Sequence, residues 1–175
     1  DTVGALGIPD DKSLLNIFDN PKNYQFHDVT LGAHIGQARH ALALNEKRGS
    51  FTPTLWRSER TDGSLKQLWF PGVHSDVGGG YKESGLSDRA LKWMIDEASD
   101  AALPGGGIKF DRTMKSQIKP DFLDLEHDSH VGAMKALISA PRTLPNLDDA
   151  NAPVHESVVQ RRKKGPIGQG PYMPT

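Results

Sequence analysis

The side chains best suited to chemistry crowd into one stretch. In Phe70-Pro71-Gly72-Val73-His74-Ser75-Asp76-Val77-Gly78-Gly79-Gly80-Tyr81, a histidine, a serine and an aspartate run directly into three glycines. An imidazole titrates near neutrality, so His74 suits general-base work. A structural histidine bonded to loop carbonyls fits the local context equally well. Asp76 could orient His74 or bond the amides of the glycine loop, and for an isolated His-x-Asp the structural role is the better fit. Ser75 is a poor nucleophile for His74, because adjacent side chains at a strand end point in different directions. Consecutive glycines can bring amides toward an anion. Here the Gly-Lys-Ser/Thr ending of a phosphate loop and the dinucleotide spacing are both missing. A tight turn that lets the backbone pack closely is the better reading.

Other polar groups are weaker. His34 and His40 are six apart and do not share one turn of a helix. His127, Asp128 and His130 come nearer to ligand spacing and define a metal-dependent phosphoesterase as a minor alternative, although a solvated loop or helix cap explains them as well. Trp56, Trp69 and Trp93 read as core, since no basic patch accompanies them. No Gly-x-Ser-x-Gly occurs in the 175 residues, so the sequence holds no nucleophile elbow.

Several elements must position these groups. Leu68 to Phe70, within a run from Lys66, has the character of a buried strand, stopped by Pro71 and Gly72. A strand, a polar cluster, a glycine loop and a helix in succession present reactive side chains at the carboxyl edge of an α/β sheet. The helix opens at Ser87-Asp88-Arg89, with Ser87 as cap and Asp88 on the positive end of the dipole. Its buried stripe is Ala90, Leu91, Met94, Ile95 and Ala98, with Lys92, Asp96 and Glu97 toward water. Upstream, Ile35, Ala38, Ala41, Leu42 and Ala43 predict a helix over 35–47 that ends at Arg48-Gly49. Phe51 to Trp56 resembles a strand that Pro53 confines to an edge. Thr2 to Gly7 and Phe26 to Leu31 are weakly strand-like, and Leu14 to Phe18 suggests a short helix or apolar loop. An apolar helix is expected over Val131 to Ile138, and Val154 to Val159 forms a last short element. The organisation predicted is a folded portion over 1–162 and an extended, Pro/Gly-rich tail over 163–175.

Bulk properties narrow the classes. With 21 Lys+Arg against 22 Asp+Glu, composition gives no reason to expect nucleic acid. No cysteine is present, which removes disulfides and thiolate metal sites. No apolar run approaches the ~20 residues of a membrane span, and no signal core is visible at the start. The opening Asp1-Thr2-Val3-Gly4-Ala5-Leu6-Gly7 lacks a methionine and reads as the end of a strand already under way, as in the C-terminal part of a longer protein.

The string from Phe70 to Tyr81 closely resembles the signature of a bacterial and fungal family of α/β-hydrolase-like proteins. That family includes the phospholipase effectors of the type VI secretion system, the first lipase-effector class. The segments Asp1 to Gly7, Arg39-His40-Ala41-Leu42-Ala43-Leu44, Leu86-Ser87-Asp88 and His155-Glu156-Ser157-Val158 agree in order. The resemblance implies the C-terminal part of an α/β-hydrolase-like domain, a mixed or parallel sheet with flanking helices, whose N-terminal half with the nucleophile elbow lies before residue 1. It implies a phospholipase-like ester hydrolase that needs no cofactor or metal and acts on a lipid or other ester. The protein would be cytoplasmic or delivered by a dedicated secretion system. A truncated relative acting as a binding module is the alternative. Carried over by position, His74 matches the base and Asp1 the acid that holds it in the right tautomer, with Asp76 and Glu46 as alternative acids. Asn45 departs from the acidic residue expected before Glu46, which weakens an acid role there.

Overall fold

A computed structural model describes residues 1, 31–56, 60–100, 102–132, 139, 142–165 and 174. The elements predicted over Thr2–Gly7 and Leu14–Phe18, nearly all of that over Phe26–Leu31 and most of that over Val131–Ile138 lie outside the described residues, as does most of the tail.

Two strands, β1 (Ala38–Ala43) and β2 (Leu65–Phe70), pair in parallel, with Ala38 opposite Leu65 and Ala43 opposite Phe70. The ladder continues past the strand ends. The Leu44 amide donates to the Phe70 carbonyl at 3.0 Å, and the Asn45 amide to that of Gly72 at 3.0 Å. On the other edge of β2, Val154 forms a parallel bridge to Trp69. There Trp69 donates to Pro153 and His155 donates to Trp69, both at 2.9 Å. β2 is therefore hydrogen-bonded on both sides.

Alternation along the strands sends side chains to two apolar layers. Ala41, Ala43 and Phe70 pack with Val77, Ala90 and Trp93 on one side. Leu42, Leu44 and Trp69 pack with Val158 on the other. The first layer belongs to helices α1 (His74–Gly78) and α2 (Gly85–Ala98), the second to α4 (Glu156–Lys164); α3 (Arg112–Gln117) is peripheral and buries no side chain. The result is a mixed α/β arrangement, a small parallel sheet with flanking helices. Each large apolar side chain buried here contributes about 1.5–3 kcal/mol.

The strand expected up to Phe70 and the helix after Tyr81 are present, while other expectations need correction. Residues 38–43 are a strand and not part of a helix over 35–47. Both faces of β1 are covered, so Ala41-Leu42-Ala43 shows no polar alternation, and its alanines favour helix only until tertiary packing decides. Residues 51–56 do not form a strand; a single 3₁₀ turn, Gly49–Phe51, opens that segment. α2 starts two residues before Ser87, whose hydroxyl donates to the Ser84 carbonyl at 3.0 Å instead of capping. The capping acceptor is Asp124 Oδ2, which takes the Gly85 amide at 2.7 Å from a distant loop. A Cβ on Gly85 would meet that oxygen at 2.6 Å, which explains the glycine. Leu91 is exposed and Trp93 takes its place in the core. α4 runs through Lys164 and so includes the first two residues of the expected tail.

Candidate active site

The segment after β2 is built to point one side chain outward from the sheet end. Pro71 ends the strand, and Gly72 turns the chain at φ +103°, where a Cβ would meet the Asp76 Cβ at 2.4 Å. Asn45 Oδ1 accepts the Gly72 amide at 3.0 Å, which ties this turn to the end of β1. Asp76 Oδ2 accepts the Val73 amide at 2.9 Å and so caps α1. His74 is the first residue of that helix. The glycines behind it serve conformation and not close packing. Gly79 and Gly80 have φ of +86° and +125°, and a Cβ at Gly79 would meet nothing within 4 Å.

His74 Nδ1 lies 2.7 Å from Asp1 Oδ2. Bonding to a carboxylate puts the proton on Nδ1 and leaves Nε2 as the acceptor nitrogen. The ring is partly open to solvent, with 29% of the side chain exposed, while the Asp1 side chain is wholly buried. Phe51 meets the imidazole edge-on at 5.0 Å between centroids, and the Arg48 guanidinium covers the Phe51 ring at 3.5 Å. Burial above all holds the His74 pKa below its usual value, with Glu46 pulling the other way and Arg48 and Arg142 adding to the depression. A neutral imidazole at neutral pH is the form that accepts a proton.

Glu46 lies beneath this pair. Its Oε1 accepts the Arg48 amide and Nε at 2.9 Å each, and the Ser129 hydroxyl at 2.7 Å. Its Oε2 accepts Arg48 Nη2 at 2.9 Å and the His74 backbone amide at 3.2 Å. Burial opposes ionisation, but the hydrogen bonds from Arg48, Ser129 and His74 outweigh it and bring the pKa down to about 2. Glu46 thus touches the backbone of His74 and Asp1 touches its ring.

Asp76 faces a different histidine. Its Oδ1 is 2.7 Å from His127 Nδ1 and its Oδ2 accepts the His127 amide at 3.1 Å. The His127 ring stacks on Tyr81 at 3.7 Å, and its Nε2 approaches Glu83 at 3.4 Å. His130 turns its backbone amide to Asp128 at 2.9 Å. Among the described residues no group of three or more histidine or acidic side chains is arranged to hold a metal ion.

Residues 1–97, just over half of the chain, match the family of type VI secretion system (T6SS) phospholipase effectors, Tle1-like, over its catalytic domain. The chain belongs to this family. The match encloses Asp1, Glu46, His74 and Asp76. No curated protein and no solved structure matches the chain significantly.

Among the described residues, three beyond the matched stretch reach into the cluster, and sequence reasoning gave none of them this place. Ser129 bonds Glu46, His127 bonds Asp76, and Arg142 bonds Asp1 with Nη1 to Oδ1 and Nη2 to Oδ2, both at 2.7 Å. His127 stood out only as a loose metal candidate. Ser129 and Arg142 carry no motif, because an isolated serine or arginine in an irregular segment has no periodicity or spacing to mark it.

Proposed function

We propose that this chain carries the acid–base half of a serine hydrolase of the α/β-hydrolase type, acting on the carboxylic esters of phospholipids. His74 is the general base and Asp1 the residue that orients it. The nucleophilic serine sits in a Gly-x-Ser-x-Gly elbow of a longer polypeptide, upstream of Asp1, in the chain order Ser, Asp, His. The observation that carries this reading is the 2.7 Å bond from His74 Nδ1 to Asp1 Oδ2, made across 73 residues of sequence. Family membership supports the lipid substrate and delivery through a secretion system.

In this scheme the serine hydroxyl attacks the ester carbonyl and its proton passes to His74 Nε2. Asp1 stabilises the imidazolium at Nδ1. His74 then gives the proton to the departing alcohol as the acyl–serine bond remains. Water attacks the acyl-enzyme with His74 again as base, which releases the fatty acid and restores the serine. The expected result is that the full-length protein hydrolyses phospholipid and short-chain esters and that His74→Ala abolishes both with an unchanged circular dichroism spectrum. Retained turnover in a folded His74→Ala variant would sink the assignment. The 175 residues alone should be inactive, and turnover by that piece would place the nucleophile elsewhere.

A further inference from the structure

We propose that Arg142 is the positioning residue of the acid–base pair, the group that sets which way the Asp1 carboxylate faces. The inference rests on the reading of His74 and Asp1 as base and acid, and extends it to a residue outside the family-matched stretch. Asp1 Oδ1 receives the Ala43 amide at 3.1 Å and Arg142 Nη1 at 2.7 Å. Oδ2 receives Arg142 Nη2 at 2.7 Å and stands 2.7 Å from His74 Nδ1. With both oxygens held by one planar fork, the carboxylate has a single orientation in which Oδ2 meets the imidazole. A wholly buried carboxylate also needs a compensating cation, and Arg142, itself only 2% exposed at the side chain, supplies it.

The same guanidinium fixes two backbone points. Nη1 donates to the Ala43 carbonyl at 2.5 Å and Nη2 to the Phe51 carbonyl at 2.6 Å. Ala43 is the last residue of β1, and Phe51 is the residue whose ring meets the edge of His74. One side chain therefore holds the acid and the aromatic neighbour of the base in a common frame. The cost is visible: Arg142 Nε is buried with no acceptor among the described residues. The fork is aimed at Asp1 at the expense of a fully satisfied guanidinium.

The test compares Arg142→Lys and Arg142→Gln in the full-length protein, using a soluble short-chain ester and the NMR signal of the His74 Nδ1 proton. Lysine keeps the charge and loses the fork. It should lower kcat at least tenfold with KM unchanged, leave the acid limb of the pH–rate profile in place and broaden the Nδ1 signal. Glutamine loses both. The groups facing His74 are Asp1, Glu46, Arg48 and Arg142. Removing one cation among them makes the imidazole more basic, so the acid limb should move to higher pH. Folded variants with kcat within twofold of wild type and an unshifted Nδ1 signal would overturn the proposal. Loss of folding in both variants would also overturn it, in favour of a purely structural clamp. The proton signal needs no turnover, so it decides the role of Arg142 even if His74→Ala retains activity and the hydrolase reading itself fails.

Discussion

At the scale of single residues, three carboxylates that look interchangeable in sequence have three separate tasks. Asp1 faces the ring of His74, Glu46 its backbone amide, and Asp76 the ring of His127. Substitution should separate them. Asp1→Asn keeps the shape but can present its amide N–H to the imidazole and favour the wrong tautomer, so kcat should drop by about 10⁴. Because it leaves the buried Arg142 guanidinium uncompensated, denaturant titration should also register a loss of about 3 kcal/mol. Glu46→Gln removes one partner of a buried ion pair and leaves Arg48 uncompensated. Denaturant titration should register a loss of about 3 kcal/mol. His74 was legible in the sequence because a strand-like run, a Pro-Gly stop and a glycine loop bracket it. Ser129 and Arg142 were not, since they act through distance in space with no local pattern to record it.

At the scale of elements, the turn between β2 and α1 carries the largest local demand. Gly72→Ala would force a side chain into a left-handed backbone conformation and onto Asp76 at 2.4 Å. It should cost about 1–3 kcal/mol, read from the urea midpoint. Trp93 in α2 packs on Phe70 with centroids 5.5 Å apart, and Trp93→Ala should cost about 3–5 kcal/mol by the same measurement. Leu91→Ala, on the exposed side, should cost far less. This contrast shows where the sequence misled. Helical spacing located α2, but Leu91 and Trp93 both satisfy an apolar stripe, and only contact with Phe70 selects the second. β1 failed for a related reason. Ala-Arg-His-Ala-Leu-Ala carries no alternation because both of its faces are covered, and such a strand is indistinguishable from a buried helix by periodicity.

At the scale of the whole molecule, one buried histidine and one half-buried histidine shape the response to acid. Burial above all holds His40 and His155 at about 4, below the usual value of 6.5. The unfolded chain therefore takes up these protons first as the pH falls. Their contribution is complete above pH 6.5 and is lost progressively toward pH 4. Glu46, lowered from 4.5 to about 2, adds a second loss over that lower range. Melting temperature should accordingly fall from pH 6.5 downward. His155 caps α4 by accepting the Ser157 amide, a role asparagine can fill without titrating. His155→Asn should flatten the upper part of the acid slope, and an unchanged slope would assign that sensitivity elsewhere.

The span of the contacts around Asp1 has a kinetic consequence. Its carboxylate meets His74 across 73 residues and Arg142 across 141, and Val154 pairs with the second edge of β2. Pairings so distant along the chain form late and slowly, after shorter loops have closed. During synthesis the ribosome has released β1, β2 and α2 long before residue 142 emerges. His74 and Asp1 can be on hand while Arg142, the residue proposed to align them, is still to come, so the proposed acid–base pair is completed near the end of folding and not with the first appearance of the sheet.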